Sequence, residues 1–315
     1  MRIAVFGVGG VGGYFGGRLA QAGEEVIFIA RGEHLRALQT SGLRVDSLKG
    51  DFVVHPIRAT DNLEEIGEVD MVLVTVKAWQ VPEAAGAIKA SGSAMIGPQT
   101  GVVFLGNGVD APGQLAAVLG SEHVLGGLCQ ISALIAGPGH IRHVGIEPYA
   151  AFGELDKSSS QRAEKLRQAF ARAGVKVEVP ADILSAMWEK FLFIASISGV
   201  GAVTRAPAGV MRSLPETRQM LEQAMQEIQA VARACEITLP EDIVAQKMAF
   251  IDGIAPHVTA SMQRDIIEGK PSELSAQNGA VVRMGQEAGV PTPMNSFLYN
   301  SLLPQELKAR GKLSF

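Results

Sequence analysis

Three sets of residues in this sequence have types and spacings that could do chemistry. The first is Gly7-Val8-Gly9-Gly10-Val11-Gly12, a G-x-G-x-x-G that follows the apolar run Arg2–Phe6 without a break. Such a turn can wrap phosphate with backbone alone. Gly7 permits the tight turn, Gly9 lets backbone approach a pyrophosphate, and Gly12 lets a helix pack closely on a strand. The helix N-terminus beyond offers unbonded N–H donors and a partial positive charge to an anion. A glycine-rich turn that binds nothing would share these six residues. The order strand, glycine turn, helix, second strand, within about thirty residues, marks a dinucleotide-binding βαβ unit. The second strand, Glu25–Ala30, then bears on the nucleotide. NAD sites end that strand in Asp or Glu, which holds the ribose 2′-hydroxyl; here Arg31 follows Ala30, and a guanidinium suits a 2′-phosphate. The pattern points to NADPH. Glu33 lies just past the strand end, and a solvated loop charge is the plain alternative for Arg31.

The second candidate is Lys190. Along Asp182–Ala195 the positions at helical spacing are Ile183, Met187, Lys190 and Ile194, with Trp188 and Phe191 beside them. A lysine thus falls on the face expected to be buried. A buried ammonium is costly unless paired, and desolvation lowers its pKa toward useful acid chemistry. A lysine stem covering apolar surface gives the same pattern, so periodicity leaves both readings open. The third set is Lys77 and Asn107, each at the end of a β-branched run, Met71–Val76 and Gly101–Leu105. Open α/β sheets bind ligands at that edge. A strand-end charge and an Asn-Gly turn are the bland readings of each. Metal chemistry is not indicated, because the six histidines are scattered and His140 and His143 lack a third ligand at metal-site spacing. Cys129 and Cys235 are distant in sequence and read as free thiols in a reducing compartment.

The elements that must position these residues come next. At 315 residues, 47% apolar and 5% aromatic, the chain has room for two cores and the composition of an α/β protein. A net charge of −4 without any dense Lys/Arg run points away from nucleic acid. Met1 leads straight into the first strand, and the uncharged run Phe191–Thr204 is too short to span a bilayer. The expectation is a cytoplasmic protein with that run buried as a helix. Helices are expected over Arg31–Leu43 and Pro82–Ala90, and a two-stranded excursion over Leu43–Pro56. A hairpin is expected over Val124–Val144, turning at Gly137-Pro138-Gly139, with further strands at Tyr149–Gly153 and Val175–Val179. A helix over Ser160–Ala173 separates those two, its N-cap in Ser158-Ser159-Ser160. From Asp182 the pattern is helical: Asp182–Ala195, Pro215–Cys235, Pro240–Ile251, Val258–Ile267 and Ser272–Glu287. The fold class expected is α/β, a Rossmann-type dinucleotide-binding domain over 1–179 followed by an all-helical domain over 180–315. Apolar surface on Pro215–Ile251 would suit a homodimer.

Taken together these residues resemble the ketopantoate reductase family, the NADPH-dependent 2-dehydropantoate 2-reductases. The resemblance runs over nearly the whole chain. Its marks are the opening glycine motif, V-T-V-K-A-W-Q at Val74–Gln80, Asn107-Gly108-Val109 and M-W-E-K at Met187–Lys190. A-S-M-Q-R-D-I-I-E-G-K-P-S-E-L at Ala260–Leu274 follows, continuing through Asn278-Gly279 to Gly289-Val290-Pro291-Thr292-Pro293. The resemblance implies reduction of the 2-oxo carbon of a small 2-oxo acid, ketopantoate, by hydride from NADPH, in a cleft between the two domains. It implies Lys190 as proton donor and Glu273 as the acidic residue near cofactor and substrate. It also implies Gly7, Val8, Gly9, Gly10, Val11 and Gly12 around the pyrophosphate and Arg31 at the 2′-phosphate. Lys77, Asn107 and Ala133 would lie by the cofactor, Asn107 also by the substrate, and Ser261 would contact the substrate carboxylate. The chain departs from the family at four positions. Asparagines expected four, eight and eighteen residues after Lys190 are Ile194, Ser198 and Ala208, and one expected three residues before Ser261 is Val258. Sites that bind a hydroxyl can reject analogues lacking it by roughly 10⁴-fold. Loss of these amides therefore favours a more apolar 2-oxo acid on the same scaffold. A silent NADPH-binding protein would need neither Lys190 nor Glu273.

Overall fold

A computed structural model of the chain describes residues 1–92 and 95–315. It divides into two compact units, Met1–Gly106 with Asp110–Ile183, and Asn107–Val109 with Leu184–Phe315.

Apolar strands build the first unit: β1 (Arg2–Phe6), β2 (Glu25–Ile29), β3 (Leu43–Ser47), β4 (Phe52–Val54), β5 (Arg58–Thr60), β6 (Met71–Val74), β7 (Gly101–Phe104), β8 (Val124–Gly137), β9 (His140–Glu154) and β10 (Lys176–Glu178). They form one sheet in the order β4-β3-β9-β8-β7-β6-β1-β2-β5, with β10 beside β9. From β5 to β8 every pair is parallel. The fully buried runs of β6 and β7 suit a sheet covered on both faces. Register aligns Phe6 with Ile29 and Val74, and Val74 with Phe104, so four strands end together. Among the described residues the α-helices of this unit are α1 (Gly10–Gln21), α2 (Gly32–Ser41), α3 (Val81–Ala90), α4 (Ala111–Leu119) and α5 (Gln161–Arg172). Phe15 of α1 meets Phe170 of α5, which meets Phe152 of β9, in an aromatic chain with centroids 5.6 and 5.7 Å apart. Ser160 caps α5 as expected, its hydroxyl accepting from the Ala163 N–H at 3.1 Å.

The second unit is helical: α6 (Ile183–Thr204, which begins within the first unit), α7 (Ala208–Ser213), α8 (Pro215–Ala234), α9 (Ile243–Gly253), α10 (Ser261–Ile267), α11 (Asn278–Ala288) and α12 (Pro293–Ala309). By length and composition α6 could cross a membrane, but Leu192, Ala195 and Val200 are wholly buried among α8, α9 and α11 residues.

Several expectations need correction. Tyr149–Gly153 is no separate strand but the second half of β9, which continues past a register shift in the hairpin. The helix expected over Ser272–Glu287 starts only at Asn278, because Ser272 bonds to α12 and Pro271 precedes it. Strand β5 and helices α4, α7 and α12 were not expected. The compact units divide at Ile183, whose side chain lies over Gly126 and Gly153 of the hairpin. Asn107–Val109 leaves the sheet unit because Val109 packs into the helical core.

Candidate functional site

In the first unit the glycine turn sits where β1 ends. Gly7 has φ +99°, and a Cβ there would press on Val76 at 2.7 Å. A Cβ on Gly12 would overlap the Gly7 carbonyl oxygen and the Thr75 hydroxyl, so α1 can approach β1 only as glycine. Gly9 differs: nothing lies within 4 Å of a Cβ built on it, leaving open space beside the turn. Gly9 is the N-cap of α1 and offers no side-chain cap. The first N–H groups of a helix have no intrahelical acceptor, so they remain available to an external anion. Open space, uncapped donors and a helix N-terminus fit a dinucleotide pyrophosphate. Val8 is buried, and the Ala133 carbonyl of β8 lies against Gly10.

Thr75 locks the turn. Its hydroxyl donates to the Gly7 carbonyl at 2.6 Å, and its N–H to the Phe6 carbonyl at 2.9 Å. Arg31 follows β2 as the N-cap of α2, exposed, with Nη1 donating to Glu83 Oε1 at 2.9 Å. Exposed pairs of this kind contribute about 0–1 kcal/mol, so the guanidinium can exchange partners cheaply. His34, on the same helix, accepts from the Gly139 N–H at 3.1 Å. Burial pushes its imidazole below the usual range, while the Val8 carbonyl opposes that shift. Lys77 lies exposed beyond β6, its N–H donating to Gln80 Oε1 at 3.3 Å.

In the second unit Glu273 is 4% exposed on the segment between α10 and α11. Its Oε2 accepts from Asn107 Nδ2 at 3.0 Å and, more weakly, from Gln277 Nε2 at 3.4 Å. The chain brings Asn107 here directly after β7, across 166 residues of sequence. Lys190 is half-buried, less enclosed than its place in the apolar pattern suggested, while Met187, Trp188 and Phe191 around it are buried. Ile194 and Ser198 follow on the same face of α6, at helical spacing from Lys190. Ile194 is half-buried; Ser198 is wholly buried, and its hydroxyl meets no protein partner among the described residues. Ser261 is the first residue of α10 and half-buried. The Ala208 N–H donates to the Val258 carbonyl at 2.9 Å, which joins two of the apolar replacements through backbone.

Comparison with known proteins identifies the family. Residues 3–157 match the family model "Ketopantoate reductase PanE/ApbA" and residues 182–306 match "Ketopantoate reductase PanE/ApbA C terminal". The chain belongs to the ketopantoate reductase family. A crystal structure of a PanE/ApbA family ketopantoate reductase from Ralstonia eutropha is 32% identical, with a TM-score of 0.88 over 98% of this chain and 100% of that one. A 2-dehydropantoate 2-reductase from a Nostoc species is 27% identical over 96% of this chain and 94% of its own. D-mandelate dehydrogenase, solved with NADH and anilino(oxo)acetate, shares the fold at 22% identity and a TM-score of 0.87. The family is one of oxidoreductases that use a nicotinamide dinucleotide, and this chain is an enzyme of that kind acting on a small molecule.

Some members of the arrangement escaped sequence reasoning. Thr75 stood inside V-T-V-K-A-W-Q with no role of its own, and Gln277 lay within an expected helix. Only their contacts, with Gly7 and Glu273, reveal them.

Proposed function

We propose that this enzyme reduces the 2-oxo carbon of ketopantoate (2-dehydropantoate) with NADPH, giving pantoate. The Asn107–Glu273 hydrogen bond carries the reading: it gathers two family site residues into one partly buried polar group. Residues 1–179 act as the NADP-binding domain and 180–315 as the substrate domain. Bound NADPH would supply the hydride. Gly7, Val8, Gly9, Gly10, Val11 and Gly12 hold the pyrophosphate, Arg31 the 2′-phosphate, Lys77 and Asn107 the nicotinamide side, and the Ala133 backbone contacts the cofactor. Lys190 donates the proton to the alkoxide oxygen as negative charge develops there. Glu273, fixed by Asn107, orients cofactor and substrate, and Ser261 takes the substrate carboxylate. The reaction belongs in the cytoplasm, a placement supported by two free cysteines. A homodimer through the helical half would cover the exposed Val210, Leu214 and Phe250.

One observation favours a second reading, a more apolar 2-oxo acid on the same machinery. Where the family has amides, this chain has Ile194, Ser198, Ala208 and Val258; Ala208 is wholly buried in apolar core. The experiment is NADPH oxidation followed at 340 nm across a panel of 2-oxo acids, with NADH as control. A wide margin for ketopantoate supports the first reading. A better apolar acid selects the second, and no turnover of any 2-oxo acid defeats both.

A further inference from the structure

Glu273 lies on a stretch that neither helix nor strand holds, since α10 ends at Ile267 and α11 begins at Asn278. A side chain on such a stretch could swing, yet this carboxylate is buried and meets Asn107 and Gln277. The residue before it shows how the stretch is held. All three polar groups of Ser272 are bound by α12 and its C-cap residue, Arg310. Its N–H donates to both Glu306 carboxylate oxygens, at 3.2 and 3.1 Å, and its hydroxyl to Glu306 Oε2 at 2.5 Å. Its carbonyl accepts from Arg310 Nη2 at 2.9 Å, and Arg310 Nε donates to Glu306 Oε1 at 2.5 Å. The Ser272 hydroxyl also accepts from the Leu274 N–H at 3.2 Å, so the grip spans both sides of Glu273. Ser272 is wholly buried and Glu306 is 2% exposed. Arg310, the C-cap of α12, stands four residues after Glu306, within reach of the same face.

Apolar packing could stabilise this segment, but only directional bonds fix where its backbone sits. Charge-assisted hydrogen bonds to a buried carboxylate are short, strong and tightly oriented. We propose that Glu306 and Arg310 are positioning residues that set the Glu273 carboxylate for the reaction while touching neither substrate nor cofactor. The proposal rests on the role given to Glu273 above. A misplacement of about 1 Å at a reacting group lowers a rate by about 100-fold.

Two substitutions in the full-length protein test it. Glu306→Gln keeps the shape and one acceptor but removes the charge. Ser272→Ala removes the hydroxyl's two bonds, to Glu306 and from the Leu274 N–H, leaves the backbone bonds and the charge pair, and keeps the fold if the larger change does not. The measurements are kcat and KM for the 2-oxo acid, NADPH affinity, and exchange of the Ala276 and Gln277 amides, which donate to the Glu273 carbonyl at 3.0 and 2.9 Å. We expect kcat to fall about 100-fold for Glu306→Gln and about tenfold for Ser272→Ala, with NADPH affinity unchanged. The two amides should exchange at least about tenfold faster as local opening becomes easier. In a Glu273→Gln background, Glu306→Gln should lower the rate no further, because residues acting through one group are not additive. Unchanged kcat in both variants, additive losses, unchanged exchange or a full-rate Glu273→Gln would each overturn the proposal. Exchange needs no substrate, so a protein that turns over no 2-oxo acid would defeat the proposed function while exchange still judged the clamp.

Discussion

The sheet unit makes its candidate site from backbone, and the helical unit makes its own from side chains. At the glycine turn the functional features are a carbonyl, uncapped N–H groups and the absence of Cβ atoms at Gly7 and Gly12. Around Glu273 the features are an amide from Asn107, another from Gln277, and a carboxylate–guanidinium pair under Ser272. A backbone site is specified by neighbours in sequence and tolerates few substitutions at a few positions. A side-chain site draws on distant residues, and each part can drift alone. The exchange of amides for Ile194, Ser198, Ala208 and Val258 lies wholly on the helical side, while the glycine turn keeps its full pattern. On the roles proposed above, cofactor binding and substrate choice are built by different means, and perturbing each should have a different signature.

The largest effect should come from the side-chain region. Lys190→Ala should lower kcat by ~10²–10⁴-fold, the span of a general acid, and leave NADPH affinity intact. An unchanged rate removes Lys190 from the mechanism, and a parallel loss of cofactor binding would erase the division of labour. Next come the glycines. Gly12→Ala should destabilise the protein by about 1–3 kcal/mol even without cofactor, because the new methyl meets Gly7 and Thr75. Gly9→Ala meets nothing and should leave thermal stability alone while weakening NADPH. Thermal melts of the two apoproteins check this; equal stability would mean the turn is not the rigid backbone element described. Smaller again is Arg31→Ala, expected to weaken NADPH about tenfold, ~1.4 kcal/mol, and to spare NADH. Equal loss for both cofactors would place the 2′-phosphate elsewhere.

The same contrast explains what could be read from the sequence. The βαβ unit was legible because strand, turn and helix signals are local, although Val76 and Thr75, which crowd Gly7 and Gly12, come from beyond β6. The parallel strands and the helical second half were legible through their periods. The start of α11 was not, because Ser272-Glu273 carries helix-compatible residues, and Glu306 and Arg310, 34 and 38 residues away, hold Ser272 off the helix. The Asn107–Glu273 bond joins residues 166 apart, and no spacing rule reaches that far. Lys190 was singled out by its place in an apolar pattern. Its half-burial shows that one helical wheel cannot say how closely neighbouring helices pack.

The smallest predicted effect concerns acid. In the sheet unit two enclosed carboxylates are shifted: for Glu154, burial raises the pKa but the Arg162 fork at 2.7 and 2.6 Å outweighs it, and the net direction is down. Glu24, with its side chain 5% exposed, is likewise raised by burial and lowered further by the N-terminal ammonium and Arg172. In the helical unit the lowered carboxylates, Asp252 and Glu268, are about half exposed at 49% and 50%, so solvent screens their contribution. A carboxylate whose folded pKa is depressed stabilises the fold above its unfolded pKa and loses that contribution as pH falls through the folded value. Protection in the sheet unit should therefore fade first as pH drops below about 4, near the unfolded carboxylate range. Hydrogen exchange followed peptide by peptide should show β8 and β9 opening before α8 and α11. Arg162→Met should flatten the acid limb of the sheet unit, since Glu154 would no longer be held low. Simultaneous opening of both units at one pH, unchanged by Arg162→Met, would show that acid stability is shared and not a property of the sheet.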